Sequence, residues 1–156
     1  MKLIPVASRP DAARHLWDLL AERTPEQSIS HRHMPTKAEH RAFVESHPYQ
    51  YWALIDIAGE IVGACYLTRT NEIGIAIYKK HRGKGFGPEA VKLLMEYMGP
   101  REYLANVNPL NEASARMFKK LGFNICQHTY RLDHNADRRQ TDQSKRAALH
   151  HSRNVG

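Results

Sequence analysis

A chain of 156 residues with 42% hydrophobic residues is long enough for one compact domain that buries about two thirds of its unfolded surface. It holds no run of about twenty apolar residues, so no membrane-spanning helix is expected, and the short apolar start Met1-Lys2-Leu3-Ile4-Pro5-Val6 does not read as a signal peptide. The net charge of +7 raises nucleic acid as a partner, but its distribution, described below, argues against that role.

In chain order, the first expected element is a strand from Leu3 to Val6. Past Pro10, the residues Ala12, His15, Leu16, Leu19 and Leu20 share one side of a helix expected over Asp11 to Arg23. Thr24 to Pro35 reads as a polar loop, in which His31 and His33 stand two apart without a third ligand and carry little metal-site character. Thr36-Lys37-Ala38-Glu39 has capping-box spacing and opens a helix to about Ser46. Tyr51 to Ile57 and Glu60 to Thr70 form a hairpin about Ala58-Gly59. Glu72-Ile73-Gly74-Ile75-Ala76-Ile77-Tyr78 is a buried strand, and Ala90, Val91, Leu94, Met95 and Met98 mark a helix with one apolar face. A strand from Tyr103 to Val107, a helix from Asn111 to Leu121 and a last strand from Ile125 to Leu132 complete the pattern. Cys65 and Cys126 fall in strand-like segments without C-x-x-C spacing and read as reduced, buried thiols of a cytoplasmic protein.

The organisation is therefore one α/β domain over 1–133 and a polar, basic tail over 134–156 that includes Arg138, Arg139, Lys145, Arg146 and Arg153. A second copy of the chain, in a homodimer, is a candidate partner for that tail. The other basic cluster, Lys79, Lys80, Arg82 and Lys84, belongs to the most informative stretch of the sequence. There, Gly83, Gly85 and Gly87 join the apolar strand to the amphipathic helix. Glycine lets a backbone approach an anion closely and supplies positive φ, and the helix start adds unpaired amides and the positive end of its dipole. A plain strand-to-helix turn explains an isolated triple-glycine run equally well. The spacing is neither G-x-x-x-x-G-K-[ST] nor G-x-G-x-x-G.

A second landmark follows in Asn108-Pro109-Leu110-Asn111 and the run Phe118-Lys119-Lys120-Leu121-Gly122-Phe123. With it the chain resembles the GNAT superfamily of acetyl-CoA-dependent N-acetyltransferases over about residues 50 to 130. Arg82, Gly85 and Gly87 match the defined positions of that family's pyrophosphate motif, Q/R-x-x-G-x-G/A, and Asn111 through Phe123 match its later helix. The resemblance implies a single-domain fold with a mixed, mostly antiparallel twisted sheet, a central splay and helices on both faces. It implies acetyl-CoA as cosubstrate and a small primary amine as acceptor, with direct transfer in a ternary complex. It also implies that phosphates meet the amides of Arg82, Gly83, Lys84, Gly85, Phe86 and Gly87, that a backbone N–H at Ile75 or Ile77 polarises the thioester, and that Asn111 and Phe118 adjoin the coenzyme.

The same resemblance puts Glu72 forward as general base, with Asn108 and Tyr130 beside it in the catalytic set. Each has a plainer reading. Glu72 also fits an exposed strand-end charge, Asn111 a helix cap, and His128 a solvated edge-strand histidine. Many relatives carry Tyr at the position of Phe118 as proton donor to the thiolate. Phe118 cannot serve, which leaves Tyr78, Tyr130, water or an unprotonated thiolate, or else a non-catalytic coenzyme-binding module. The segments Ser28 to Pro35 and Glu45 to Trp52 are expected to border the acceptor site. Similarity to small acetyltransferases of surface-polysaccharide and amino-sugar pathways names a nucleotide-linked amino sugar as acceptor, with a protein or peptide N-terminus as the alternative.

Overall fold

A computed structural model of the protein describes residues 1–28 and 34–130. Met1–Asn124 form one compact unit. Four strands, β1 (Lys2–Pro5), β2 (Tyr51–Ile57), β3 (Glu60–Leu67) and β4 (Ile73–Ile77), make an antiparallel sheet in that order. Four α-helices accompany them: α1 (Ala12–Ala21), α2 (Lys37–Glu45), α3 (Phe86–Met98) and α4 (Glu112–Lys120).

Strand alternation divides the apolar residues between two cores. Ala53, Ile55, Cys65, Leu67 and Ile73 pack on one face with Ala90, Val91 and Leu94 of α3 and Phe118 of α4. Leu54, Ile61 and Ala64 pack on the other with Leu16 and Leu19 of α1 and Val44 of α2. A register shift at Ile55/Asp56, which leaves Val62 without a β2 partner, reverses the alternation along β3, so Ile61 and Ala64 serve one core and Val62 and Cys65 the other. The β2–β3 turn places Ala58 at φ 52° and Gly59 at φ 91°, the twist that a two-residue hairpin connection requires. Asp56 Oδ1 accepts the Gly59 N–H at 3.2 Å and fixes that turn.

The capping box of α2 is formed, with Glu39 N–H donating to Thr36 Oγ1 at 3.2 Å and Thr36 N–H to Glu39 Oε2 at 2.7 Å. The polar loop after α1 contains a short 3₁₀ turn, Pro25–Gln27, which its Thr24…Gln27 capping box explains.

Two expected strands are not formed. Tyr103 to Val107 contributes only a single parallel bridge, Leu104 to Glu72, through Ile73 N–H to Leu104 O at 2.8 Å and Leu104 N–H to Asn71 O at 2.9 Å. The ladder stops because the chain is tied elsewhere on both sides. The Tyr103 hydroxyl donates to Gly99 O at 2.6 Å, beyond the C-terminus of α3, and the Asn108 Nδ2 donates to Ser28 O at 2.9 Å. The expected splay thus stands where the β4 edge parts from residues 105–107.

Residues 125–130 likewise have no strand structure, and 131–132 lie outside the described residues. Ile125 is 85% and Tyr130 93% exposed, since neither side of the alternating Ile125-Cys126-Gln127-His128-Thr129-Tyr130 run is continuously apolar. Cys126 is correspondingly exposed rather than buried, whereas Cys65 is buried and both are free thiols. The basic tail over 134–156 and the pair His31 and His33 lie outside the described residues.

Candidate functional site

The β4–α3 connection carries the glycine run. Gly83 and Gly85 adopt φ 77° and 82°, in the left-handed region where a side chain is strained, and a Cβ on either would project into open space. Gly87 is different: it is buried, and its Cβ would lie 3.2 Å from Met117 Sδ, so it permits α3 to approach α4. Among the described residues, no hydrogen bond engages the N–H groups of Gly83, Lys84, Gly85, Phe86 or Gly87. Left-handed glycines followed by a 13-residue helix make a concave row of donors at a positive helix end, the arrangement that holds a diphosphate.

The turn ahead of the cradle is anchored by residues whose roles are not legible in the sequence. His81 is buried, and its Nε2 lies 3.1 Å from Glu60 Oε1, the oxygen that also meets Lys80 Nζ at 2.7 Å. The hydrogen bond from Lys80, then the charges of Lys80 and His81, hold the Glu60 carboxyl below the usual carboxylate range. Lys79 N–H donates to Glu22 Oε2 at 2.6 Å. Pairs separated by twenty or more positions leave no local signal. Arg82 turns back, its Nε donating to Ile77 O at 3.0 Å.

The edge of β4 continues the row of donors. Thr68 N–H donates to Glu72 O and Tyr78 N–H to Val62 O, both at 3.0 Å. These bonds set the phase of the β3–β4 ladder, so the alternate residues Ile73, Ile75 and Ile77 direct their backbone groups away from β3. Ile73 N–H uses Leu104 O. Among the described residues, the N–H groups of Ile75 and Ile77 have no partner. Two free amides on the strand edge therefore lead into five free amides in the cradle.

The expected side chains are distributed as follows. Glu72 is half-buried at the start of β4, its N–H accepted by Thr68 Oγ1 at 2.9 Å. By alternation its side chain shares the face of Gly74, Ala76 and Tyr78, the α1–α2 face of the sheet. Asn108 bridges the loop after α1 to the α4 entrance, with Oδ1 accepting Leu110 N–H at 3.0 Å. Asn111 caps α4 by accepting Ser114 N–H at 3.1 Å. Phe118 is 6% exposed and meets Phe123 edge to face at 5.2 Å, a packing role that needs no hydroxyl. The Tyr78 hydroxyl donates to His15 O at 3.0 Å, and burial pushes its phenol up to about 12. Tyr130 belongs to the segment without regular structure.

On the α1–α2 face, a cavity of about 330 Å³ lies against Ala76 of β4. Its aromatic wall is a packed cluster. Tyr49 stacks on Tyr66 with ring centroids 4.0 Å apart and meets Trp52 edge to face at 4.9 Å, and Phe43 meets Trp52 at 6.0 Å. Gly74 is required here, because a Cβ at that position would fall on the Tyr66 ring. Leu16, Leu19 and Leu20 of α1 also line the cavity, together with Arg23, Pro35 and Glu39. Burial, reinforced by Tyr66, pushes the Tyr49 phenol up to about 12, so it stays neutral. Of the two segments expected to border the acceptor, Pro35 represents one and Tyr49 and Trp52 the other, while residues 29–33 lie outside the described residues. The contribution of α1 has no signal in the sequence. Its leucines read in the sequence only as a core face.

Among the described residues, no helix is long and apolar enough to cross a membrane and no cluster of His, Cys, Asp or Glu is arranged for a metal ion. No curated protein matches the chain. Solved structures do. The chain is similar to yncA from Salmonella typhimurium, solved with its cofactor acetyl-CoA (16% identity, 81% of this chain and 79% of that one, TM-score 0.61). It is similar to a ribosomal-protein-alanine N-acetyltransferase from Brucella melitensis (19%, 81% and 85%, TM-score 0.61). A third likeness is to an aminoglycoside 6'-N-acetyltransferase from Acinetobacter haemolyticus (14%, 85% and 97%, TM-score 0.60). At these identities the likeness is one of fold. The model of the acetyltransferase (GNAT) domain matches residues 2–124, which takes in the whole sheet, the amide row and the cavity. The chain belongs to the GNAT acetyltransferases, a family whose cosubstrate is acetyl-CoA.

Proposed function

We propose that the protein transfers the acetyl group of acetyl-CoA directly to a primary amine of a small molecule, with both substrates bound together. The observation that carries this reading is the two groups of unpartnered main-chain donors, Ile75 and Ile77 on the β4 edge and Gly83 through Gly87 in the cradle. Acetyl-CoA supplies an already activated thioester, so the protein's tasks are to hold it, polarise its carbonyl, and manage protons. The cradle amides suit the diphosphate and the strand-edge amides suit the pantetheine arm and the thioester oxygen. Ala76 lies between the two strand-edge amides and on the cavity side, which supports an amine arriving from the cavity at the activated carbonyl.

Glu72 is the proposed general base. Its side chain shares the cavity face of β4, but at roughly 3.3 Å per residue it stands about 13 Å along the strand from Ala76, so it would receive the proton through a relay of several waters rather than directly. Asn108 and Asn111 then position the loop after α1 and the start of α4. For the leaving thiolate, Tyr78 is committed to His15 and Phe118 is buried packing. Departure as thiolate, with protonation by water, suits a thiol of ordinary pKa about 8.5. The free thiols of Cys65 and Cys126 support a reducing compartment, the cytoplasm.

The leucine and aromatic walls favour an apolar body over the amino sugar named by resemblance, whose hydroxyls would depend on Arg23, Glu39 and His40 for partners. Each buried hydroxyl left without a partner there would cost roughly 1–3 kcal/mol. The deciding experiment is free-thiol release from acetyl-CoA against amines that include nucleotide-linked amino sugars, aminoglycosides, short peptides and amino acids, with coenzyme binding measured by calorimetry. Turnover with any class supports the enzyme. Binding without turnover makes the chain a coenzyme-binding module, and absence of binding overturns the reading.

A further inference from the structure

We infer that the cavity takes an amine built on a flat or branched apolar body and carrying a carboxylate, the chemistry of an α-amino acid with a large apolar side chain. This rests on the acetyl-transfer reading and specifies its acceptor. The lining combines the aromatic cluster of Tyr49, Trp52 and Tyr66 with the leucines of α1. Aromatic and aliphatic surfaces of this kind bind an apolar body and leave hydroxyl-rich ligands without partners. The volume of about 330 Å³ is at the small end of ligand sites, which run from about 300 to 1,000 Å³, so a single amino-acid side chain suits it better than a nucleotide conjugate.

Charge supplies the second requirement. Arg23 and Glu39 both line the cavity. The Glu39 Oε2 is already engaged by Thr36 N–H at 2.7 Å and Thr36 Oγ1 at 2.8 Å, bonds that hold its carboxyl below the usual range. Arg23 has no carboxylate partner among the described residues. It stands close enough to Tyr49 for its charge to act on that phenol. A guanidinium at an apolar cavity is a carboxylate site, since its planar fork donates two parallel hydrogen bonds.

In the transfer, the α-ammonium loses one proton to Glu72 through a relay of several waters, and the nitrogen lone pair forms the N–C bond to the thioester carbonyl carbon. The C–S bond breaks with its electrons passing to sulfur. The second proton leaves the nitrogen for the thiolate by way of solvent, so the products are the N-acetyl amino acid, free coenzyme thiol and one released proton.

The test is thiol release with L-phenylalanine and L-leucine beside phenethylamine, which lacks the carboxylate, and a nucleotide-linked amino sugar. Phenylalanine should exceed phenethylamine in kcat/KM by about tenfold or more, the scale of one charge-assisted contact. Arg23→Gln should close most of that gap while acetyl-CoA binding by calorimetry persists, and Arg23→Lys should restore part of it. The inference is overturned by phenethylamine equal to phenylalanine, by an unchanged gap in Arg23→Gln, by preference for the sugar, or by coenzyme binding with no amino-acid turnover. Loss of coenzyme binding in the wild type would instead sink the acetyl-transfer reading beneath it.

Discussion

The two sides of β4 are built from different materials. Toward α3 and along the open strand edge, the site is made of main chain, with glycines at positive φ, a helix start and amides without partners. Toward α1 and α2 it is made of side chains, an aromatic cluster facing leucines with one guanidinium. Main-chain donors recognise what every coenzyme molecule shares, its phosphates and amides. Side-chain walls recognise what differs between acceptors. On the proposed reading, a single strand presents a fixed half and a variable half to one reaction.

That division can be broken most forcefully on the coenzyme side. Gly85→Asp would force a side chain into φ 82° and place a negative charge in the proposed diphosphate site. Acetyl-CoA affinity by calorimetry should fall by about a hundredfold or more, from charge repulsion and because a loop that relaxes to relieve roughly 1–2 kcal/mol of backbone strain must regain its shape to bind. A folded variant with normal affinity would remove the cradle assignment. Next in size, Glu72→Gln should depress kcat by about a hundredfold, the low end of general-base effects, and leave acetyl-CoA affinity unaltered. Unchanged turnover would eliminate Glu72 as base.

Smaller effects sharpen the same contrast. Asn111→Ala removes the cap accepted from Ser114 N–H and should lower stability by about 1 kcal/mol in denaturant unfolding. Turnover should change little if Asn111 is a cap alone, whereas a large loss in a stable variant would assign it to the coenzyme. The least perturbing comparison uses the two thiols. Burial pushes the Cys65 thiol up to about 12, so at neutral pH it stays protonated and enclosed, while Cys126 is exposed. A thiol reagent should label Cys126 rapidly in the native protein and Cys65 only on unfolding. Rapid labelling of both would contradict the buried core around Cys65.

The main-chain half was readable because its signals are local. The run Arg82-Gly83-Lys84-Gly85-Phe86-Gly87 lies between a β-branched strand and a helix of period 3.6, and the cap of α2 follows from the four residues Thr36 to Glu39. The hairpin strand Tyr51–Ile57 was legible to its boundaries because a two-residue turn follows it. The side-chain half depends on tertiary placement. The stacking of Tyr49 on Tyr66 and the shared oxygen of Glu60 that anchors Lys80 and His81 join residues distant in the chain. The failed strands have the same cause. The β-branched and aromatic character of Tyr103 to Val107 promises a strand, but pairing is limited to Leu104 by ties that neither end reveals.

The central claim is that main-chain amides along β4 and the cradle receive the coenzyme. An amide-resolved NMR titration of the full chain with acetyl-CoA tests it most directly. The account requires the largest shifts, and new protection from exchange, at Ile75, Ile77 and Gly83 through Gly87, with far smaller changes at the α1 leucines. Binding with those amides unmoved, or shifts concentrated elsewhere, would contradict it.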